Sequence, residues 1–269
     1  MNRAFAALTV AALLHGCAAL PQESAGGFEP LPFLPGKDVV WVPTPPALVE
    51  KMLDLAGVTA ADYVVDLGSG DGRNVIAAAK RGARALGVEY NPDLVALSRR
   101  KADAEGVSGK AQFVEGDMFE ADLSRATVLA LFLIPENLLR LKPNFMRLAP
   151  GTRIVSNGFE IPGWNVERAA RADGACEVWC TAYLYIVPAT VAGTWRLGAG
   201  ELRFEQEFES LSGTRIAAGE SMPLVNGRVK GDRIRFRVGL DEYVGRIRGG
   251  TMSGTVSGSF SGPWTASRR

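Results

Sequence analysis

The stretch VVDLGSGDGR, residues 64–73, sets an apolar run and an acid before three glycines within five residues. It is followed by the helical pattern RNVIAAAKRG, so it reads as the opening of a strand–turn–helix unit, whose turn holds a ligand at the C-terminal edge of a sheet. Three ligand chemistries compete for that turn. A nucleoside triphosphate loop requires Lys and Ser or Thr after its last glycine, where this chain has Arg73 and Asn74. The dinucleotide fingerprint requires a glycine where Arg73 stands. Asp66 and Asp71 place two carboxylates at the turn, which repel a pyrophosphate and attract a ligand carrying an ammonium and a sulfonium. That charge pattern favours S-adenosylmethionine, which Gly68 and Gly70, flanking Ser69, allow close to the backbone.

Two later strand ends carry matching chemistry. Glu89 lies 21 residues beyond Gly68, at the end of GVEY, where a carboxylate accepts both ribose hydroxyls. In EGDMF, Asp117 is placed to accept from an adenine amino group while Met118 packs on the ring. Around these motifs, short apolar runs alternate with helical patterns (YVVDLG, ARALGVEY, AQFVEGD, ATVLALFLIP and TRIVSNGF as strands), which predicts a parallel sheet with helices on both faces. A helix is expected after Thr44, with Thr44 as its N-cap and prolines in its first turn, and another is interrupted at Pro143. NVERAARADG and VWCTAYLYIVP read as an antiparallel pair at the sheet edge. Residues 190–269 lack a helical period and alternate between short strands and glycine turns, which predicts a separate all-β antiparallel meander, a small barrel or half-barrel. A lipocalin-like pocket for an apolar ligand and a purely structural appendage are both compatible with that pattern.

Residues 61–165 resemble a class I S-adenosylmethionine-dependent methyltransferase, with VVDLGSGDGR, GVEYNP and EGDMFEADL in the expected order. VPTPPALVEKML, ATVLALFLIPENLLRLKP and APGTRIVSNGFEIPGW resemble, more narrowly, the ATP synthase c-subunit lysine methyltransferase family and its bacterial relatives, over residues 42–188. The resemblance implies an α/β fold with a Rossmann-like seven-stranded sheet and a protein lysine as methyl acceptor. It also implies that Asp66, Gly68, Gly70 and Asp71 line the methionine end, that Glu89 holds the ribose and Asp117 the adenine, and that Thr44 closes over the cofactor. Where bacterial relatives tend to carry a histidine and an acid after the serine of the fifth strand, this chain has Asn157 and Gly158. Glu136 and Glu160, which follow two strands, are the candidate acid–base residues, and Phe159 and Trp164 the candidate walls of the acceptor channel.

Composition narrows the chemistry and raises a question of compartment. A net charge of +1 provides no basic field for nonspecific nucleic-acid binding, and the sole histidine, His15, falls in the N-terminal segment. Histidine-dependent triads and the common zinc sites are thereby excluded, and no metal is expected. Residues 1–19 read as a signal segment, with Arg3 followed by an 11-residue apolar run over 4–14, too short to span a membrane. LLHGC resembles a lipobox with Cys17 as the lipidated residue, although His15 departs from the usual small or apolar side chain. The expected organisation is thus a signal over 1–19, a Pro- and Gly-rich linker over 20–43, the methyltransferase domain over 44–188 and the β domain over 190–269. Location in a bacterial envelope, periplasmic or lipid-anchored, follows if the signal works, and the cytoplasm if it does not. Export sits awkwardly with a cofactor made in the cytoplasm, which leaves a non-catalytic ligand-binding or assembly lipoprotein as the alternative. Cys176 and Cys180 would lie about 13 Å apart on a straight strand, so two buried thiols are expected there unless a loop brings them together.

Overall fold

The computed structural model describes residues 28–174 and 176–269, so the signal segment and Cys17 lie outside the described residues. Helix α1 (Pro46–Leu55) precedes an alternation of strand and helix: β1 (Tyr63–Leu67), α2 (Arg73–Lys80), β2 (Arg84–Glu89), α3 (Pro92–Ala104), β3 (Ala111–Glu115) and β4 (Val128–Leu131). The short helices α4 (Pro135–Arg140) and α5 (Lys142–Phe145), then β5 (Arg153–Asn157), β6 (Arg168–Arg171) and β7 (Thr181–Ile186), complete a seven-stranded sheet of order β3-β2-β1-β4-β5-β7-β6. Strands β1 to β5 pair in parallel, while β7 runs antiparallel to both β5 and β6. Successive strands run outward from β1 to β3, and β4 then returns to the other side of β1. That reversal opens a crevice at the strands' C-terminal ends.

Local sequence accounts for these elements. The runs VVDL in β1 and VLAL in β4 are buried at every position, as central strands covered on both faces require. Asn91 caps α3 by accepting from the Asp93 N–H at 2.9 Å, with Pro92 at the first helical position. The helix after Thr44 begins one residue later than expected. Pro45 is its N-cap, no side chain caps it, and the Thr44 hydroxyl instead accepts from Asn157 Nδ2 at 3.2 Å. Leu48, Val49, Met52 and Leu53 of α1 join the alanines of α2 in one apolar layer, and Leu131, Leu138, Leu141 and Phe145 form part of the layer on the other face.

The remaining strands, β8 (Gly193–Leu197) through β15 (Gly262–Arg268), close into an eight-stranded antiparallel barrel. Closure is made by β15 pairing with β8, which excludes the half-barrel. Trp195, Leu202, Val229, Phe236, Tyr243 and Met252, each at most 1% exposed, fill the interior. The apolar-ligand reading fails there because side chains occupy the space a ligand would need.

The barrel docks on the sheet through a defined contact. Trp164 stacks on Phe208 at 4.6 Å and packs against Tyr185 at 5.4 Å, and the Tyr185 hydroxyl accepts from the Ile161 N–H at 2.9 Å. Asn165 donates to the buried Glu209 carboxylate, and the Ala189 N–H donates to Gly231 O at 2.8 Å. Trp164 is therefore an interface residue and does not wall an acceptor channel. Cys176 and Cys180 form a disulfide with their Cα atoms 5.8 Å apart. The expectation of two separate thiols assumed a straight strand. The chain instead turns at Trp179, whose φ is 52°, and the strand begins only at Thr181.

Candidate active site

The glycine turn closes tightly at the end of β1. Gly68 and Ser69 both donate to Val88 O, at 2.8 and 3.1 Å, and Gly72 donates back to Ser69 O at 2.9 Å. Gly70 has φ 55°, and a Cβ there would lie 2.4 Å from Trp41 Nε1. Only glycine meets both conditions, and the indole of Trp41 forms a roof over the turn.

A cavity of about 230 Å³ lies between this turn, the ends of β2 and β3, and the segment 33–44. Thr44, Asp66, Gly68, Ser69, Gly70, Asp71, Glu89, Asp117 and Met118 all line it. Glu136 and Glu160 do not: both are exposed and lie outside the lining. The far end is apolar, made by Phe132, Leu133, Phe159 and Trp179.

The acids have different surroundings. Asp66 is 3% exposed, and among the described residues its one hydrogen bond comes from Asn74 Nδ2 at 3.1 Å. Burial pushes its carboxyl well above the usual range, Glu89 and Asp71 add to the rise, and the Asn74 hydrogen bond opposes it. Asp71 is held by Arg73 through both oxygens, at 2.9 and 2.8 Å, and by Lys101 at 2.7 Å. Burial alone would raise it, but these two cations outweigh burial and hold it below its ordinary value. Asp71 therefore does not offer a free charge to a ligand, as the turn's sequence suggested. It instead fixes Arg73, which donates to Thr44 O at 2.5 Å and ties the entry of α1 to the turn.

Glu89 accepts from the Gly70 N–H at 2.9 Å and the Asn91 N–H at 3.0 Å, one on each carboxylate oxygen. Each oxygen retains a lone pair for a hydroxyl donor. Asp117 accepts from the Phe119 N–H at 2.9 Å, and its other oxygen pairs with Lys37 at 2.6 Å. The Lys37 bond, followed by that from Phe119, holds the Asp117 carboxyl below its ordinary range.

S-adenosylmethionine fits these residues on two counts. The lining has five carboxylates (Asp38, Asp66, Asp71, Glu89, Asp117) against two cations, Lys37 and Arg73. Ser69 Oγ and Asn74 Oδ1 are buried in that lining without a partner among the described residues, and unpaired buried polar atoms of this kind call for a polar ligand or water.

Sequence reasoning read residues 20–43 as a linker, yet 33–43 form one wall of the cavity. The segment is pinned by two backbone bonds, Trp41 N–H to Leu34 O and Phe33 N–H to Trp41 O, both at 2.8 Å, by Lys37 on Asp117 and by Asp38 on Arg140 at 3.1 Å. Lys37, Trp41, Asn74, Phe132 and Trp179 were all missed. The sequence signal for the strap is slight, an apolar VVWV run before Pro43 and Thr44 with no sustained period, compatible with a tether leading to a docking segment.

Comparison with known proteins agrees with this geometry. The ANTKMT methyltransferase domain model matches residues 66–168. A protein-lysine N-methyltransferase from Saccharolobus islandicus (strain REY15A) is 41% identical over 152 residues, covering 55% of this chain and 94% of the relative. The human ATP synthase c-subunit lysine N-methyltransferase is 39% identical over 117 residues, covering 43% of this chain and 50% of its own length. Among solved structures, an RNA methyltransferase from Salinibacter ruber in complex with S-adenosyl-L-homocysteine is 43% identical with a TM-score of 0.52, covering 56% of this chain and 96% of that one.

Proposed function

The chain belongs to the protein-lysine N-methyltransferase family, and from that premise we propose that it methylates the side-chain amine of a lysine in a protein acceptor. It is an S-adenosylmethionine-dependent methyltransferase. The observation that carries the reading is the buried Asp66, with no cation paired to it among the described residues, beside Glu89 at the ends of adjacent strands in one cavity with an apolar far wall.

In this reading Asp66 receives the cofactor's ammonium, Glu89 its ribose hydroxyls and Asp117 its adenine amino group, with Met118 against the ring. The cofactor, when bound, supplies a methyl group on a positively charged sulfur. The protein's task is then to present a neutral amine in line and dry. Phe132, Phe159 and Trp179 exclude water at the far end, which disfavours the charged form of an amine and lowers its pKa. The amine would release its proton to solvent before its neutral nitrogen is held in line with the methyl group that the bound cofactor would supply. Positioning and desolvation supply the rate, so the exposed Glu136 and Glu160 are not required.

We also propose export to the bacterial cell envelope, with Cys17 as the lipid-anchor site. The Cys176–Cys180 disulfide supports this reading, since structural disulfides persist in oxidising compartments. The Arg3 and 4–14 pattern supports it from the sequence. No observation favours a non-catalytic lipoprotein over an enzyme.

Calorimetric titration of the full chain with S-adenosylmethionine tests the site. Binding that weakens at least about tenfold in Glu89→Ala is expected, from the loss of a carboxylate accepting two hydroxyls. Absence of heat with the unmodified chain would remove the basis of the reading. A periplasm-active reporter fused after Ala19 tests export, and a silent fusion would return the protein to the cytoplasm.

A further inference from the structure

We propose that the Cys176–Cys180 loop is a positioning device that holds Trp179 as the gatepost of the methyl-acceptor entry, across which a lysine side chain passes from an outer polar cleft into the cavity. The inference rests on the protein-lysine reading and deepens it by naming where the acceptor enters.

Trp179 lines two spaces at once. It faces the cofactor cavity beside Phe132 and Phe159, and it also faces a second cleft of about 210 Å³ lined by Arg171, Glu177 and Tyr183. The edge of Phe132 meets its ring at 5.5 Å, and Phe132 stacks on Phe159 at 6.3 Å, so three aromatic rings form one continuous wall. The outer cleft is polar where the inner end is apolar. A lysine side chain has that same division, a charged tip on an apolar stem, so the polar cleft suits the tip and the aromatic wall the stem. Glu177, exposed and lining this cleft with Arg171, offers a carboxylate with which a lysine ammonium can pair.

Trp179 has a left-handed backbone, φ 52°, which a bulky aromatic residue adopts only where its surroundings impose it. The surroundings here are explicit. The disulfide closes a loop between residues 176 and 180, directly around Trp179. On the other side its ring lies against Gly158, where a Cβ would come within 2.7 Å of Trp179 Cδ1. Gly158, with φ 70°, donates to Thr181 O at 2.8 Å and so fixes the strand end that the loop leads into. Gly158 thus gives the ring its seat, and the disulfide keeps the ring in it.

The test compares Trp179→Ala, Trp179→Phe and the double variant Cys176→Ser/Cys180→Ser in the full chain, each checked for folding by thermal melting. Two probes separate the sites: S-adenosyl-L-homocysteine for the cofactor end, and Nα-acetyl-lysine methylamide, titrated into protein saturated with that product, for the acceptor end. Trp179→Ala should keep product affinity within about twofold and weaken the lysine amide by about tenfold, as loss of the apolar wall against the lysine stem implies. Trp179→Phe should restore most of that loss, which a merely structural role would not predict. The double serine variant should weaken the amide in the same direction with product affinity unchanged. Unchanged amide binding in Trp179→Ala, a parallel loss of product affinity, or no amide binding by the unmodified chain would each overturn the proposal. If the unmodified chain binds product and amide yet transfers no label to any protein, the protein-lysine reading fails while the entry stands.

Discussion

Lys37 reaches from the N-terminal strap to the Asp117 carboxylate at 2.6 Å, which places a cation on the group assigned to the adenine amino donor. The same lysine lies over the Tyr90 ring at 4.9 Å, so one side chain fastens the strap to the ends of both β2 and β3. Lys37→Ala should free the strap and speed cofactor release by about two- to fivefold in stopped-flow at low salt. Because the pair is solvent-exposed, the difference from the unmodified chain should vanish at about 1 M salt, where screening is short-ranged.

Asp66 predicts a pH dependence of known sign. Its carboxyl is raised by burial, so the ligand-free fold favours its protonated form and loses stability as pH rises through the raised value. A cationic ligand favours the carboxylate. Cofactor affinity should therefore increase with pH across that range, with proton release on binding, and Asp66→Asn should flatten the profile. Calorimetry at one pH in two buffers of different ionisation enthalpy measures the released protons directly.

Asp71 predicts the opposite dependence, and for stability. Although burial raises it, Arg73 and Lys101 hold it below the ordinary range, so its contribution is full above that range and is lost as pH falls through the depressed value. Asp71→Asn should cost about 1–3 kcal/mol at neutral pH, from lost charge-assisted hydrogen bonds. Urea unfolding at falling pH should show the gap between the two proteins closing.

The contact between barrel and sheet makes a separate prediction. Trp164 is 4% exposed and stacked on Phe208, so Trp164→Ala leaves a cavity between the two and should destabilise by about 3–5 kcal/mol. If the barrel only braces the sheet, the folded fraction of Trp164→Ala should bind cofactor with ordinary affinity, as titration at low temperature would measure.

The sheet and its ligand edge were legible because their signals are local. The apolar runs of β1 and β4, the glycine turn and the strand-end acids Glu89 and Asp117 are set by residues adjacent in sequence. What escaped depends on contacts between distant residues. Trp41 is recognisable as a roof only when Gly70 is beneath it, and Asp71 looked like a ligand-facing charge until Lys101 was placed on it. Barrel closure depends on β15 finding β8, a pairing that strand alternation alone does not encode. The disulfide was missed because one left-handed residue, Trp179, breaks the strand that the local pattern implied.

Transfer of a methyl group to a protein lysine is tested directly by one labelling experiment. The full chain is incubated with S-adenosylmethionine labelled in its methyl group and an envelope extract from cells lacking this protein. Protein and RNA are then separated, and the protein fraction is hydrolysed to amino acids. Label should appear in the protein fraction as Nε-methyl-lysine and be lost with Glu89→Ala. Label confined to RNA, or no label in either fraction while the cofactor binds, would contradict it.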